Sequence, residues 1–299
     1  MALKDIMVSV FPNVKIKDAP EHFPLLDILD YFKSGNGDYR KRLAVIQKEE
    51  DHSKRNELKV KILPVFCPSG TFERMEDNKL IGMSGVICID LDDVPHPESE
   101  INKLKSFNYV LSAFKSPSGK GLKIMVLHDL TEPSYHKSLY YHVGTLLGLT
   151  KRTDLKFDMS CSNISHPCFW SHDSSLYLNR KATPLHINLD DFSGYTSSSI
   201  KKEASGDRVS KKDGTAKVIP LTDPEKIRKQ VLESHSLFEK FYSMYPSVRN
   251  KHLFVLTKFF YNDSIPKDFA IDYLIAYYAD SSNGFPASEI KKIVHSAYH

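Results

Sequence analysis

The residues best suited to chemistry are two aspartates near the end of a short apolar run, GVICIDLDD at 85–93. A run of this length, rich in β-branched residues, is typical of a buried strand. Because side chains alternate between the two faces of a strand, Asp90 and Asp92 are expected on the same side, about 6–7 Å apart. Two carboxylates at that distance repel each other unless a cation lies between them. The spacing therefore predicts a site for a hard divalent ion such as Mg²⁺ or Mn²⁺.

An acidic turn is the structural alternative, because Asp is common in turns. Asp93 fits that alternative, since it lies off the face shared by Asp90 and Asp92, and Pro95 and Pro97 follow it. We therefore expect Asp93 to be structural.

The loop KSPSGKGLK at 115–123 is a second candidate, placed between two predicted strands. It would present backbone N–H groups, hydroxyls and ammonium groups at one point, as a triphosphate or a nucleic-acid backbone requires. It is not a P-loop, because no Gly stands five residues before Gly119-Lys120 and a strand follows instead of a helix. A plain hairpin turn is the alternative, and Gly119 and Gly121 would suit it. The composition of the loop favours phosphate binding.

A run of basic residues lies in the N-terminal part of the chain. The helical pattern at 39–47 contains Arg40, Lys41 and Arg42. A solvated charged face explains most such runs, and a phosphate-contacting patch is the functional alternative. The positive charge continues in Lys54, Arg55, Lys59 and Lys61.

Two cysteines and two histidines, Cys161, His166, Cys168 and His172, lie within twelve residues of one another. Their spacing is not that of a standard zinc module. A buried cysteine that behaves as a small hydrophobe is the favoured interpretation.

The composition is that of an ordinary globular protein. The chain has 299 residues, of which 41% are hydrophobic and 26% charged, and its formal net charge is +4. That balance permits nucleic-acid binding without proving it. No apolar run approaches the roughly 18 residues that a membrane span needs, and the N-terminus lacks a signal-peptide pattern. The four cysteines favour reduced thiols in a cytoplasm.

The order of the predicted elements indicates two domains. Strand patterns occur at 7–11, 63–72, 85–93, 109–114, 124–127 and 175–178, and helical patterns at 24–32, 39–47, 99–106 and 134–147. Residues 195–218 are polar and poor in hydrophobes, as in a linker. Helical patterns follow at 227–245, 253–261, 268–279 and 287–298. We predict a large domain at 1–195, a basic linker at 196–220 and a helical domain at 221–299.

Three segments, in this order, resemble the three motifs of the archaeo-eukaryotic primase superfamily of primases and primase-polymerases. They are IDLD at 89–92, SPSGKGLK at 116–123 and Phe157-Asp158. The segment 162–173 resembles the stretch that follows the third motif, and the helical tail resembles a primase C-terminal domain. The resemblance is greatest to primase-like N-terminal domains of bacterial mobile elements and phages, which are often fused to a helicase.

The resemblance implies an α+β fold with a mostly antiparallel, RRM-like sheet, and template-dependent nucleotidyl transfer in primer synthesis and DNA replication. Asp90, Asp92 and Asp158 would hold two divalent ions, Mg²⁺ or Mn²⁺. The implied partners are single-stranded DNA, nucleoside triphosphates and a replicative helicase, in the cytoplasm of a bacterium. Nucleotide contacts would come from Ser116, Ser118, Gly119, Lys120, Gly121, Lys123, His166 and Ser171, and nucleic-acid contacts from Arg40, Lys41 and Arg42.

Two positions depart from the superfamily pattern: Lys123 stands where a His is usual, and His166 where an Arg is usual. A Lys can still contact phosphate as a point charge. A His with an unperturbed pKa is charged only below about pH 6.5.

Two other functions stay open on the sequence. A haloacid-dehalogenase-like phosphatase would use Asp90 as nucleophile and Asp92 as general acid. A catalytically decayed primase core would only bind single-stranded nucleic acid, without polymerisation.

Overall fold

A computed structural model of the chain describes residues 2–35, 37–192, 220–242, 249–279 and 286–299. The chain divides into two compact units, Met1–Val209 and Ser210–His299. The predicted linker, 196–220, lies outside the described residues apart from its last position. The domain boundaries 1–195 and 221–299 therefore stay predictions.

The first unit contains a four-stranded antiparallel sheet. Its strands are β1 (Met7–Phe11), β2 (Glu21–Pro24), β3 (Val65–Cys67) and β10 (Cys168–Phe169). They pair in the order β10-β3-β1-β2. Between β2 and β3 the chain forms α1 (Leu25–Ser34), α2 (Gly37–Lys48) and α3 (His52–Ile62). A separate antiparallel pair follows, β4 (Gly70–Phe72) with β5 (Leu80–Met83).

A five-stranded antiparallel sheet forms the rest of the first unit. Its strands are β6 (Val86–Asp92), β7 (Val110–Lys115), β8 (Leu122–Leu127), β9 (Lys156–Phe157) and β11 (Tyr177–Leu178). Their order is β11-β7-β8-β6-β9. Two helices connect them, α4 (Pro97–Leu104) and α5 (His136–Leu146). Mixed helices and antiparallel sheets confirm the α+β class.

Strand β6 shows the predicted alternation. Ile87, Ile89 and Leu91 are fully buried and belong to the main hydrophobic core, together with residues of α4 and α5. Asp90 and Asp92 lie on the other face and, unlike these apolar residues, keep some exposure to solvent. The alternation of a strand thus places the two carboxylates on one side and their apolar neighbours on the other.

A second cluster of buried residues is aromatic and connects the elements around the first sheet. The ring of Trp170 lies 5.3 Å from that of Phe32 on α1 and 6.1 Å from that of Phe66 on β3. The Phe32 ring lies 5.3 Å from that of Phe114 on β7, a strand of the five-stranded sheet. All four side chains are fully buried, so they bring both sheets of the first unit and α1 into one packed cluster.

The second unit is helical where it is described, as predicted. Its helices are α6 (Pro224–Tyr242), α7 (Arg249–Asn262), α8 (Lys267–Tyr278) and α9 (Ala287–Ala297). Asp223 caps α6 by accepting a hydrogen bond from the N–H of Glu225 at 3.0 Å. Phe238 and Phe260 are fully buried and form part of its core. None of the helices in the described part of the chain is long and apolar enough to cross a membrane.

Two buried histidines make the stability of the first unit dependent on pH. His128 and His136 are each 3% exposed. Burial lowers the pKa of both to about 4, and for His128 the nearby His136 adds to the shift. The Nδ1–H group of His136 donates to the Ser162 carbonyl at 3.0 Å, and its Nε2 accepts from the Ser69 hydroxyl at 2.8 Å. Both rings are therefore neutral in the folded protein at pH 7.

The free energy of unfolding of the first unit should fall as the pH drops from about 6.5 towards 4. In that window the unfolded chain binds protons that the folded chain does not, because an unfolded histidine titrates near pH 6.5. At pH 5 the expected loss is about 2 kcal/mol for each histidine. Urea unfolding followed by the fluorescence of the single Trp, which lies in this unit, measures it. In His136→Gln the difference between pH 7.5 and pH 5 should shrink, and an unchanged difference would contradict the assignment.

Candidate functional site

The three predicted acids converge in the first unit. Asp90 and Asp92 lie on β6, and Asp158 directly follows β9, which pairs with β6. The N–H of Asp158 donates to the carbonyl of Asp90 at 3.2 Å. The Sγ of Cys161 lies 3.4 Å from Oδ2 of Asp90 and 3.5 Å from Oδ2 of Asp158. Asp158, 66 positions further along the chain than Asp92, is thus brought beside the other two.

Like charges meet at this cluster. Burial raises the pKa of Asp92, and the negative charges of Asp90 and Asp158 raise it further. Lys123 and Lys156 act in the opposite direction without cancelling the shift. The folded state therefore disfavours the charged form of Asp92.

Lys123 is directly opposite Asp90 in the register of β6 and β8, and its ammonium forms a salt bridge with Oδ2 of Asp90. Both side chains are almost fully buried, at 10% exposure for Lys123 and 13% for Asp90. Burial disfavours the charged ammonium, but the carboxylate of Asp90 and the neighbouring cysteine sulfurs outweigh it and raise the pKa of Lys123. The lysine is therefore a permanent positive charge at Asp90.

Tyr140 on α5 holds the two acidic segments together through the backbone. Its hydroxyl accepts from the N–H of Asp90 at 3.1 Å and donates to the carbonyl of Asp158 at 2.8 Å. The side chain is fully buried, and burial raises the pKa of its hydroxyl, so that it stays protonated. Nothing in the sequence distinguishes Tyr140 for this role, because it is one of several aromatic residues in the helical pattern at 134–147.

We expect Tyr140→Phe to lower the free energy of unfolding of the first unit by about 1–3 kcal/mol, because it removes both hydrogen bonds and leaves buried backbone groups without them. Urea unfolding of the full chain measures the change. Tyr135→Phe is the matched control, since the Tyr135 side chain is 38% exposed, and should change it by less than about 0.5 kcal/mol. Equal effects of the two substitutions would contradict the bridging role.

The predicted loop between β7 and β8 is closed by its own polar groups. The hydroxyl of Ser116 accepts from the N–H of Gly121 at 3.0 Å and lies 3.1 Å from the hydroxyl of Ser118. Gly119 has a φ of +74°, a value that favours glycine. A Cβ on Gly121 would lie 2.7 Å from the carbonyl oxygen of Leu91, so this glycine permits the loop to pack against β6. Lys120 is exposed.

The hairpin loop is also joined to the acidic strand and to the basic helix. The N–H of Val94, just after β6, donates to the carbonyl of Lys120 at 2.8 Å. On α2, the amide of Gln47 donates to the carbonyl of Pro117 at 3.3 Å. These contacts place the loop at the end of β6, next to the acids.

Of the three basic residues predicted on α2, Arg40 and Lys41 are exposed, and Arg40 donates to the carbonyl of Ser34 at 2.6 Å.

Lys59 is a site residue that the sequence did not single out. It lies on α3, half-buried, and its ammonium is 5.8 Å from the centre of the Phe169 ring. Burial and the positive charge of Lys123 lower its pKa, while Asp92 and Asp90 act in the opposite direction. Because the charges of Asp92 and Asp90 act on its pKa, Lys59 is a second lysine near the acids. In the sequence it was one member of a charged run, and only tertiary packing distinguishes it.

His166 lies beside the cluster, and Ser171 does not. Burial, together with the positive charge of Lys123, lowers the pKa of His166, so that its ring is neutral at pH 7. Ser171 is fully buried and its hydroxyl donates to the carbonyl of Lys115 at 2.7 Å. The expected nucleotide contact of Ser171 is therefore corrected to a structural role, which is to hold the end of β7.

Of the three acids, Asp90 lines a narrow cleft whose walls include residues of the four-stranded and the five-stranded sheet of the first unit. The five-stranded sheet contributes Cys88, Asp90 and Lys123 to the lining. The four-stranded sheet contributes Cys168, and His166 also lines the cleft. An adjoining pocket of about 430 Å³ shares two of the residues of the cleft. Its polar lining includes Asp77, Asn78, Ser134, His136, Lys137, Ser162 and Asn163.

The three carboxylates fit a hard cation by their chemistry, since oxygen donors are what Mg²⁺ and Mn²⁺ prefer. The repulsion of Asp92 by Asp90 and Asp158 is of the kind that a bound cation would relieve. Asp90 is engaged by Lys123, and Asp158 accepts from the N–H and hydroxyl of Ser160 at 2.8 and 2.7 Å. Across the residues with described positions, no group of three or more His, Cys, Asp and Glu side chains is arranged to hold a metal ion. Two-ion binding stays a prediction.

Residues 57–178 match the model of the family described as BT4734-like, N-terminal domain. The matched segment contains all three acids, the loop, Lys59, Lys123 and His166, and it ends before the second unit. No curated protein and no solved structure matches the chain. The function therefore has to be argued from the site itself.

Proposed function

We propose that the first unit is the catalytic domain of a primase-polymerase, which joins nucleoside triphosphates to a primer or an initiating nucleotide on a single-stranded DNA template. The main support is the convergence of Asp90, Asp92 and Asp158 beside a glycine- and lysine-containing hairpin. The five-stranded antiparallel sheet packs one face against α4 and α5, an arrangement that agrees with an RRM-like primase core. We assign this activity to the cytoplasm of a bacterium that contains a phage or mobile element.

Asp90, Asp92 and Asp158 are the residues that would hold divalent ions. Such ions supply positive charge that stabilises the negative charge developing at the transferred phosphoryl group. Tyr140 fixes the backbone separation of two of these acids through its two hydrogen bonds. The chain thus contributes a preorganised negative surface, the feature on which electrostatic stabilisation depends.

The triphosphate would lie between the hairpin loop and the lysines. Lys120 is exposed on the loop, and Lys59 and Lys123 lie near the acids, so positive charge faces the site from three elements. An ammonium group binds phosphate oxygens as a point charge. His166, neutral at pH 7, would act as a hydrogen-bonding group in place of a cation. The neighbouring pocket of about 430 Å³ has a volume suited to the sugar and base.

Binding of single-stranded nucleic acid without catalysis is the second candidate. The salt bridge between Asp90 and Lys123 favours it, because a carboxylate that is already paired is less available to a metal ion. A replicative helicase remains a candidate partner under either function.

The test is a nucleotide-incorporation assay with the full chain, on primed and unprimed single-stranded DNA, with Mg²⁺ or Mn²⁺ and either ribo- or deoxyribonucleotides. Metal-dependent, template-directed incorporation supports the proposal. Metal-independent DNA binding without incorporation would establish the second candidate. Hydrolysis of an aryl phosphate without incorporation would overturn both in favour of a phosphatase that uses Asp90 as nucleophile.

A further inference from the structure

The segment that carries Asp158 is tied to α5 at both of its ends. Asp158 begins a short 3₁₀ helix, Met159–Ser162, and its carboxylate caps that helix. Tyr140 holds the first end, because its hydroxyl donates to the carbonyl of Asp158 at 2.8 Å. His136 holds the last end, because its ring donates to the carbonyl of Ser162 at 3.0 Å. The two side chains are one turn apart on α5 and therefore share a face of that helix.

The hydrogen bonds of His136 define its tautomer. A carbonyl can only accept, so Nδ1 carries the proton that is donated to Ser162, and Nε2 accepts from the hydroxyl of Ser69 at 2.8 Å. The carbonyl of Ser69 accepts in turn from the N–H of Ser84, two residues before β6, at 2.9 Å. The ring of His136 thus joins the segment that carries Asp158 to the segment that leads into the acidic strand.

The carboxylate of Asp158 takes its position from the 3₁₀ helix. It accepts from the N–H of Ser160 at 2.8 Å and from the hydroxyl of Ser160 at 2.7 Å, so it moves with the backbone of that helix. A single turn of helix has little stability of its own, and contacts outside the turn have to fix it. Tyr140 fixes only the first end, and the turn could still pivot about that end.

We propose that His136 is a second positioning residue of the acidic site. Its contact with the carbonyl of Ser162 stops the 3₁₀ helix from pivoting and keeps the carboxylate of Asp158 beside Asp90. The inference rests on the proposed function, because the value of a fixed Asp158 lies in nucleotide incorporation. It adds to that function a residue that acts through the backbone of another segment.

The experiment uses Cys161 as the probe of the helix. Cys161 lies within the 3₁₀ helix, is 7% exposed, and its Sγ is 3.5 Å from Oδ2 of Asp158. Iodoacetamide is added to the full chain without metal ions or nucleotide, and the alkylation rate of Cys161 is followed by mass spectrometry of its peptide. Cys67, another buried thiol of the first unit, is the internal reference for unfolding of the whole unit.

His136→Gln should raise the alkylation rate of Cys161 relative to that of Cys67 about tenfold, because its longer side chain carries the amide past the position of Nδ1 and loses the contact with Ser162. His136→Asn can place an amide N–H where the Nδ1–H group was, and should stay within about threefold of the wild type. Equal rates in the two variants would contradict the role of the Nδ1 contact.

Ser69→Ala is the matched control. It removes the hydrogen bond at the other ring nitrogen, and with it a similar part of the stability, but it leaves the donor to Ser162 in place. The relative rate at Cys161 should stay within about threefold of the wild type. If Ser69→Ala exposes Cys161 as much as His136→Gln does, the ring only stabilises the unit and the inference is overturned.

Hydrogen exchange in the wild type decides the matter even if His136→Gln does not fold. The N–H of Cys161 donates to the carbonyl of Asp158 at 3.3 Å, inside the turn that His136 is proposed to fix. It should exchange at least about 100-fold more slowly than in the unfolded chain. Exchange at the rate of the unfolded chain would show that the turn is not fixed, and would overturn the inference.

The incorporation assay separates this inference from the proposed function. His136→Gln should lower kcat about tenfold or more, since small displacements of a reacting group are costly, and His136→Asn should regain most of it. An unchanged kcat in a variant that exposes Cys161 would overturn the positioning role. Absence of incorporation in the wild type would refute the proposed function, while the alkylation rates would still decide whether His136 fixes the segment.

Discussion

Asp92→Asn should lower metal-dependent nucleotide incorporation by roughly 10²–10³-fold or more, as the loss of a main electrostatic element of an active site does. The substitution keeps the shape of the side chain and removes the charge that a divalent ion would balance. The same substitution should not lower the free energy of unfolding, although it lowers the activity. Burial and two neighbouring carboxylates raise the pKa of Asp92, so its charge destabilises the folded state at pH 7. We therefore expect Asp92→Asn to unfold at an equal or higher urea concentration than the wild type.

Asp93→Asn is the matched control for this prediction. Asp93 is the next residue, is exposed and has a φ of +50°, a conformation that Asn adopts readily. It should retain the activity of the wild type. Loss of activity in both variants, or in neither, would contradict the assignment of Asp92 to the site.

Trp170→Ala should lower the free energy of unfolding of the first unit by about 3–5 kcal/mol, the usual range for a fully buried Trp. Its ring packs against Tyr31, Phe32 and Phe66 at centroid distances of 5.9, 5.3 and 6.1 Å, and the substitution leaves a cavity among them. A loss of this size is a large part of the stability of a typical domain.

Circular dichroism is the measurement for this variant, because the substitution removes the only tryptophan. Tyr135→Ala serves as the control, since that aromatic side chain is 38% exposed and stacks on a single ring, that of Phe192. It should lower the free energy of unfolding by less than about 1 kcal/mol. A comparable loss in the two variants would show that the cluster around Trp170 does not hold the unit together.

Local patterns predicted the acidic strand well. The alternation of apolar and acidic residues in 85–93 is a property of a single strand, so the shared face of Asp90 and Asp92 followed from the sequence. The turn at 116–121 and the helices of the second unit also follow from local composition and periodicity.

Features that depend on pairing between distant segments could not be predicted from the sequence. The salt bridge of Lys123 with Asp90 requires the register of β6 against β8, which no single segment specifies. A nucleotide contact was expected for Ser171 because of the family resemblance, whereas its hydroxyl donates to the carbonyl of Lys115, 56 positions away. Tyr140 is fully buried on α5, and its hydroxyl joins two acidic segments that lie 68 positions apart in the chain, at Asp90 and Asp158.

The strand order of the first sheet bears on how fragments of this protein should be made. In the order β10-β3-β1-β2, β3 lies between a strand from residues 168–169 and one from residues 7–11. A fragment limited to the family-matched residues 57–178 would lack β1, β2 and α1. It would leave one edge of β3 unpaired and expose the side of Trp170 that Phe32 covers. Expression of the first unit alone therefore requires the residues from β1 onwards.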